Sequence, residues 1–168
     1  MFTLAAAFVP VIWGDDKDGG DDSAKPSAHA SPSPSSSSTP SVVMKRFQNY
    51  GSSWCLGYNA TDGVYVTGCN TSPNQKWIWN NGAGIPTPMR QVATMKCLTS
   101  GQGKLTLQPC DEDNLEQRWY VTFPAGGGTP LLKSAYNDRC ITQDGRSVVM
   151  SVCAFDNEAQ TWHIIEPR

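Results

Sequence analysis

Gln75-Lys76-Trp77, Gln117-Arg118-Trp119 and Gln160-Thr161-Trp162 are three short stretches around which the whole chain is organised, and they begin 42 and 43 residues apart. Cys55, Cys97 and Cys140 recur with the same two spacings, and Cys69, Cys110 and Cys153 follow at 41 and 43. Three independent markers on one period mean three copies of one supersecondary unit. A unit of that size cannot bury its apolar face alone and must pack against its copies.

The order inside each copy is constant. An aliphatic residue follows the first cysteine, as in Cys55-Leu56, Cys97-Leu98 and Cys140-Ile141. Next comes a glycine turn: Thr61-Asp62-Gly63, Gly101-Gln102-Gly103 and Gln143-Asp144-Gly145. A short run then leads to the second cysteine, from Val64 to Thr67, Lys104 to Leu107 and Ser147 to Met150. Strands this short between Gly, Asn and Asp turns predict an all-β domain, and no window sustains a helical period. On a strand, residues i and i+2 share a face, so each Gln points with its Trp. The Trp buries a large apolar area. The Gln amide, both donor and acceptor, can pair backbone groups that the interior would otherwise strand. Trp77, Trp119 and Trp162 are therefore expected around one pseudo-threefold core, with Gln75, Gln117 and Gln160 beside them.

Three Gln-x-Trp motifs at this period, each preceded by two cysteines, resemble the ricin-type (R-type) lectin family, which includes the family 13 carbohydrate-binding modules of bacterial hydrolases. The resemblance covers about three quarters of the chain, residues 44–168. It implies a β-trefoil, twelve strands arranged as a six-stranded barrel capped by three hairpins. The repeats would run from about 44 to 86, 87 to 129 and 130 to 168. It also implies a role in binding galactose-like or xylan-like sugars.

Sugar-binding members of that family carry an Asp two residues after the first Cys, an aromatic platform two residues before the second, and an Asn just before the Gln. Here the Asp positions hold Gly57, Thr99 and Thr142, and the platform positions hold Thr67, Gln108 and Ser151. The Asn positions hold Asn74, Glu116 and Ala159, so Asn74 is the single match. A sugar is accordingly expected in the first repeat, on the surface bounded by Gly57, Asp62, Tyr65, Thr67 and Asn74. Tyr65 shares a strand face with Thr67 and stands in as a displaced platform. Asp62 offers a carboxylate from the turn, in room left by Gly57. The plainer reading weighs against both: Asp before Gly is a common turn-former, and Tyr65 then covers hairpin surface. With one match and a displaced ring, affinity should be weak, roughly millimolar.

Six cysteines allow 15 pairings. The threefold pattern leaves either intra-repeat pairing or a cyclic pairing between repeats. The local choice, Cys55–Cys69, Cys97–Cys110 and Cys140–Cys153, needs only a bend between two strands and is the one expected. Disulfides point to an oxidising compartment and an extracellular or cell-surface location.

The first part of the chain has a different character. Residues 1–13 are apolar without a preceding Lys or Arg. They read as a partial membrane anchor or an atypical signal sequence, and so as a possible membrane tether for the repeats. Residues 14–43 are rich in Asp, Ser and Pro and are expected to be a disordered linker, lacking apolar surface to offset ordering entropy.

Several functions are disfavoured. The first 43 residues carry five Asp and two Lys, so a chain of net charge −2 leaves the domain near neutral, with no basic cluster for nucleic acid. His29 and His163 are the only histidines, and no Cys-x-x-Cys pair occurs, so neither a metal site nor a cofactor is expected. No nucleophile–base pair or pair of positioned carboxylates suggests catalysis. The sequons at Asn59 and Asn70 read as polar turns. The expected function is a lectin-like binding module, not an enzyme. The alternative is a protein-interaction or sensing ectodomain that has lost its sugar sites. A third class, a hydrolase inhibitor acting through an exposed loop, has no residue to support it.

Overall fold

A computed structural model describes residues 43–80 and 84–167. The expectations for segment 1–13 and for the linker 14–43, Val43 apart, lie outside the described residues. The first repeat contributes β1 (Met44–Asn49), β2 (Trp54–Asn59), β3 (Gly63–Gly68) and β4 (Trp77–Ile78). The second contributes β5 (Thr87–Pro88), β6 (Arg90–Gln91), β7 (Cys97–Ser100), β8 (Leu105–Gln108) and β9 (Arg118–Thr122). The third contributes β10 (Leu131–Ser134), β11 (Arg139–Asp144), β12 (Ser147–Val152) and β13 (Trp162–Ile165).

These strands form an all-β trefoil. β1 pairs with β4 and β13, β6 with β4, β5 with β9, and β9 with β10. A single bridge, Leu131 to Thr161, closes the ring between β10 and the start of β13. The three hairpins, β2–β3, β7–β8 and β11–β12, cap one end of this barrel. Among the described residues thirteen strands stand where a trefoil needs twelve, because the first strand of the second repeat is split. Pro88 has no N–H to continue the ladder, so Thr87–Pro88 stays with β9 while Arg90–Gln91 turns to β4.

The core repeats as the sequence does. Trp77, Trp119 and Trp162 are fully buried, with Phe47 and Leu132 from the first strands, Met89 from between β5 and β6, and Leu56, Leu98 and Ile141 after the first cysteines. Each indole N–H donates to the carbonyl of the residue after the first Cys: Trp77 to Leu56 at 3.1 Å, Trp119 to Leu98 at 3.0 Å, Trp162 to Ile141 at 3.1 Å. Each Gln amide clamps the backbone on either side of the second Cys. Gln75 accepts from Asn70 N and donates to Gly68 O, Gln117 joins Asp111 N and Pro109 O in the same way, and Gln160 joins Ala154 N and Val152 O. The Gln does not share a regular strand with its Trp. It ends a one-turn 3₁₀ helix, Pro73–Gln75, Leu115–Gln117 or Glu158–Gln160, just before it.

Disulfides join Cys55 to Cys69, Cys97 to Cys110 and Cys140 to Cys153. Two residues before each first Cys the backbone turns left-handed, at Ser53 (φ 60°), Met95 (φ 57°) and Asp138 (φ 56°). The N–H of each returns to the barrel strand, to Asn49, Gln91 and Ser134 carbonyls respectively, and so fixes the reversal that starts each hairpin.

Candidate functional site

Of the three positions that the family resemblance singles out in each repeat, two lie on the hairpin and the third in the 3₁₀ turn that follows it, and the three copies agree at none of them. In the first, alternation along β3 sends Val64 and Val66 into the core and leaves Tyr65 and Thr67 half-buried on the outer face. The ladder sets Tyr65 directly opposite Gly57 on β2. A Cβ at position 57 would lie 3.1 Å from Tyr65 Cζ, 3.2 Å from its hydroxyl oxygen and 3.3 Å from the Asn74 carbonyl oxygen. The Tyr65 ring therefore occupies the space that Gly57 leaves. Asp62 does not enter it, because its carboxylate is held in the turn by Asn59 Nδ2 at 2.8 Å. Asn59 Oδ1 in turn accepts from the N–H groups of Thr61 and Asp62.

Asp62 and Tyr65 nevertheless share one cavity. It measures about 260 Å³ and is closed on its far side by Arg146 and Ser147 of the third repeat. Ser147 pairs with Tyr65 across β12 and β3. Asn74 sits half-exposed in the 3₁₀ turn, and its backbone N–H is capped by Ser72 Oγ. Among the described residues its side-chain amide takes no hydrogen bond. Tyr65 thus stands next to Gly57 and the Asn74 backbone, whereas Asp62 lies toward the hairpin tip and Thr67 toward the disulfide.

On the second face one of the three groups is tied to its own backbone, and on the third the polar groups satisfy one another. Thr99 is buried and donates to Cys97 O at 3.1 Å. Thr142 Oγ1 and Ser151 Oγ lie 2.6 Å apart, and Gln160 Nε2 reaches both, at 3.0 Å and 2.5 Å. In the third repeat the two hydroxyls at the family's ligand positions are thus engaged with one another and with Gln160. Sequence reasoning missed this closure and missed Arg146. The signal for the closure was present in two small hydroxyl residues replacing an acid and a ring. Arg146 gave none, since it enters from another repeat. His163 is exposed while Trp162 before it is buried. Among the described residues no group of three His, Cys, Asp or Glu could hold a metal ion, and no helix is long and apolar enough to cross a membrane.

The fold recurs among solved structures at low identity. A GlcNAcα1-4Gal-releasing endo-β-galactosidase from Clostridium perfringens superposes with a TM-score of 0.64 at 14% identity, over 73% of this chain and 32% of the enzyme. ThreeFoil, a designed threefold-symmetric protein, gives 0.61 at 16% identity over 73% of this chain and 98% of its own. A Polyporus squamosus lectin bound to the epitope Neu5Acα2-6Galβ1-4GlcNAc gives 0.62 at 13%, over 74% and 49%. The chain thus spans about a third of the clostridial enzyme. A search of curated protein sequences found no significant match. The ricin-type beta-trefoil lectin domain matches residues 43–119 and 85–168. With that match running through all three repeats, the chain belongs to the ricin-type β-trefoil lectin domain family.

Proposed function

We propose that this non-catalytic carbohydrate-binding module takes a galactose-like or xylan-like glycan weakly through its first repeat, outside the cytosol. The observation that carries the reading is Asn74: it keeps the family's residue, its backbone carbonyl lies on the Gly57 side that the Tyr65 ring fills, and among the described residues its side-chain amide takes no hydrogen bond. Tyr65 supplies a stacking surface, and Asp62 and Thr67 flank it as hydrogen-bonding groups at either end of the strand face. The glycan-bound Polyporus lectin supports the ligand class. Three disulfides and no free cysteine support an oxidising compartment. A membrane tether through residues 1–13 fits the same location.

A second reading is an interaction ectodomain without sugar binding. The self-satisfied Thr142–Ser151–Gln160 network favours it for the third repeat.

Titration of galactose, lactose and xylo-oligosaccharides while following amide shifts tests the first reading. Shifts at Gly57, Tyr65 and Asn74 are expected, with a dissociation constant of roughly 1 mM. Asn74→Ala should abolish them. Gly57→Asp restores the family's carboxylate position but drives a Cβ against the Tyr65 ring. It should therefore weaken binding, because the ring it displaces is the stacking surface. Shifts confined to Gln108 and Glu116, or to Asp144 and Ser151, would move the site to another repeat.

A further inference from the structure

We infer that the domain carries a second carbohydrate-binding groove, away from the hairpin faces, formed by the exposed rings of Tyr50, Phe123 and Phe155 with His163 and suited to an uncharged oligosaccharide. It shares only the ligand class with the first-repeat reading and rests on different residues.

Two adjoining clefts make the groove. One, of about 410 Å³, runs between Phe123, Thr129, His163 and Ile164. The other, of about 270 Å³, runs between Tyr50, Pro124, Thr129 and Phe155. Thr129 belongs to both, and the Tyr50 and His163 rings lie 5.4 Å apart across the join. Phe123 is 56% exposed, Tyr50 49% and Phe155 43%. Single exposed apolar residues need no explanation, but rings gathered around one concavity mark a binding surface.

The threefold symmetry shows that the fold does not require these rings. The positions equivalent to Tyr50 hold Val92 and Ala135, those equivalent to Phe155 hold Thr71 and Glu112, and those equivalent to His163 hold Ile78 and Tyr120. A feature needed for packing would recur at all three junctions, as the Trp and Gln residues do. This one occurs at one junction and draws on all three repeats. The loop that walls it, Ala125 to Thr129, turns through Gly126, Gly127 and Gly128 at φ of 94°, 87° and 129°, which side chains rarely adopt.

The lining selects the ligand. Aromatic faces stack on the apolar C–H face of a pyranose. Asp156 and Glu158 at the rim accept from sugar hydroxyls, and Thr129 both donates and accepts. Among the described residues no Lys or Arg lines either cleft, so a sialylated or uronic sugar would meet the two carboxylates without a compensating cation. The larger cleft is within the usual range of ligand sites, roughly 300–1,000 Å³.

The test is a titration of the full chain with xylohexaose and lactose, and with sialyllactose as the charged control, following backbone amides. Neutral glycans should shift Tyr50, Phe123, Phe155 and His163. Phe155→Ala and Tyr50→Ala should each weaken that binding about tenfold while keeping the melting midpoint within about 2 °C. Phe123→Ala, on a separate loop, should do the same. Overturning results would be no shift in these residues with either neutral glycan, equal binding of sialyllactose, or loss of binding only in variants that melt early. Shifts confined to Gly57, Tyr65 and Asn74 would refute the groove and leave the first-repeat site standing. Shifts confined to the groove would do the reverse.

Discussion

Replacing Trp162 with Ala is expected to lower the unfolding free energy by about 3–5 kcal/mol, with Trp77→Ala and Trp119→Ala close behind. All three rings are fully buried in one shared core. Truncation therefore removes the transfer energy of the ring and leaves a cavity among neighbours from other repeats that cannot collapse into it. It also strands a buried carbonyl, that of Ile141 for Trp162, which loses its indole donor. Domains of this size have about 5–15 kcal/mol of stability in all, so one such change consumes a large share. Urea unfolding followed by tryptophan fluorescence would measure it. If a variant kept its full stability and lost only glycan binding, the Trp would be a ligand platform and the core assignment would fail.

Reduction of the disulfides should have an effect at least as large. Each closes a loop with its ends 13 or 14 residues apart, and cross-links of that length contribute on the order of 3 kcal/mol each. The sum over three is comparable to the stability of the whole domain. Replacing Cys97 and Cys110 together by Ser should remove one share, and full reduction should leave the domain largely unfolded at 37 °C. Circular dichroism melts with and without reductant would track both steps. An unchanged midpoint after full reduction would show that the Gln and Trp networks suffice alone. Non-reducing peptide mapping that linked cysteines of different repeats would contradict the pairing seen here.

Both effects concern what the sequence made legible. The repeat could be read because the Trp, the Gln and the cysteines each perform one fixed task, three times. Trp77, Trp119 and Trp162 bond the same carbonyl, and Gln75, Gln117 and Gln160 clamp the same two backbone groups. Substitutions there break a buried contact, so the spacing stays regular. What could not be read depends on register or on distance along the chain. That Tyr65 faces Gly57 comes from the hairpin pairing, and a shift of one residue would have sent it to the core. Asp62 is legible as a turn residue from its Asp-Gly sequence, yet only its bond to Asn59 shows that it is withheld from the space beside Gly57. The groove residues Tyr50, Phe123, Phe155 and His163 come from three repeats, so no local window contains them. Pro88 foreshadows the split of the second repeat's first strand, but β propensity gives no account of which neighbour each half would choose.

The pairing of β1 with β13 has a topological consequence. Arg46 lies opposite Ile165 and Asn49 opposite Trp162, while Lys45 and Glu166 form an ion pair just outside that ladder. The chain enters and leaves the ring on adjacent staves. The first and last repeats are then neighbours in the ring, joined as the other repeats are by strand pairing, and the cyclic order could be opened elsewhere. A circular permutant joining residue 167 to residue 43 by a short linker and opening at Gly126 should fold to the same ladder, as loop sites of this kind usually allow. A molten amide spectrum from that permutant would mean that the order of synthesis matters to the trefoil. Dispersed resonances would mean that three interchangeable units define it, whichever one is made first.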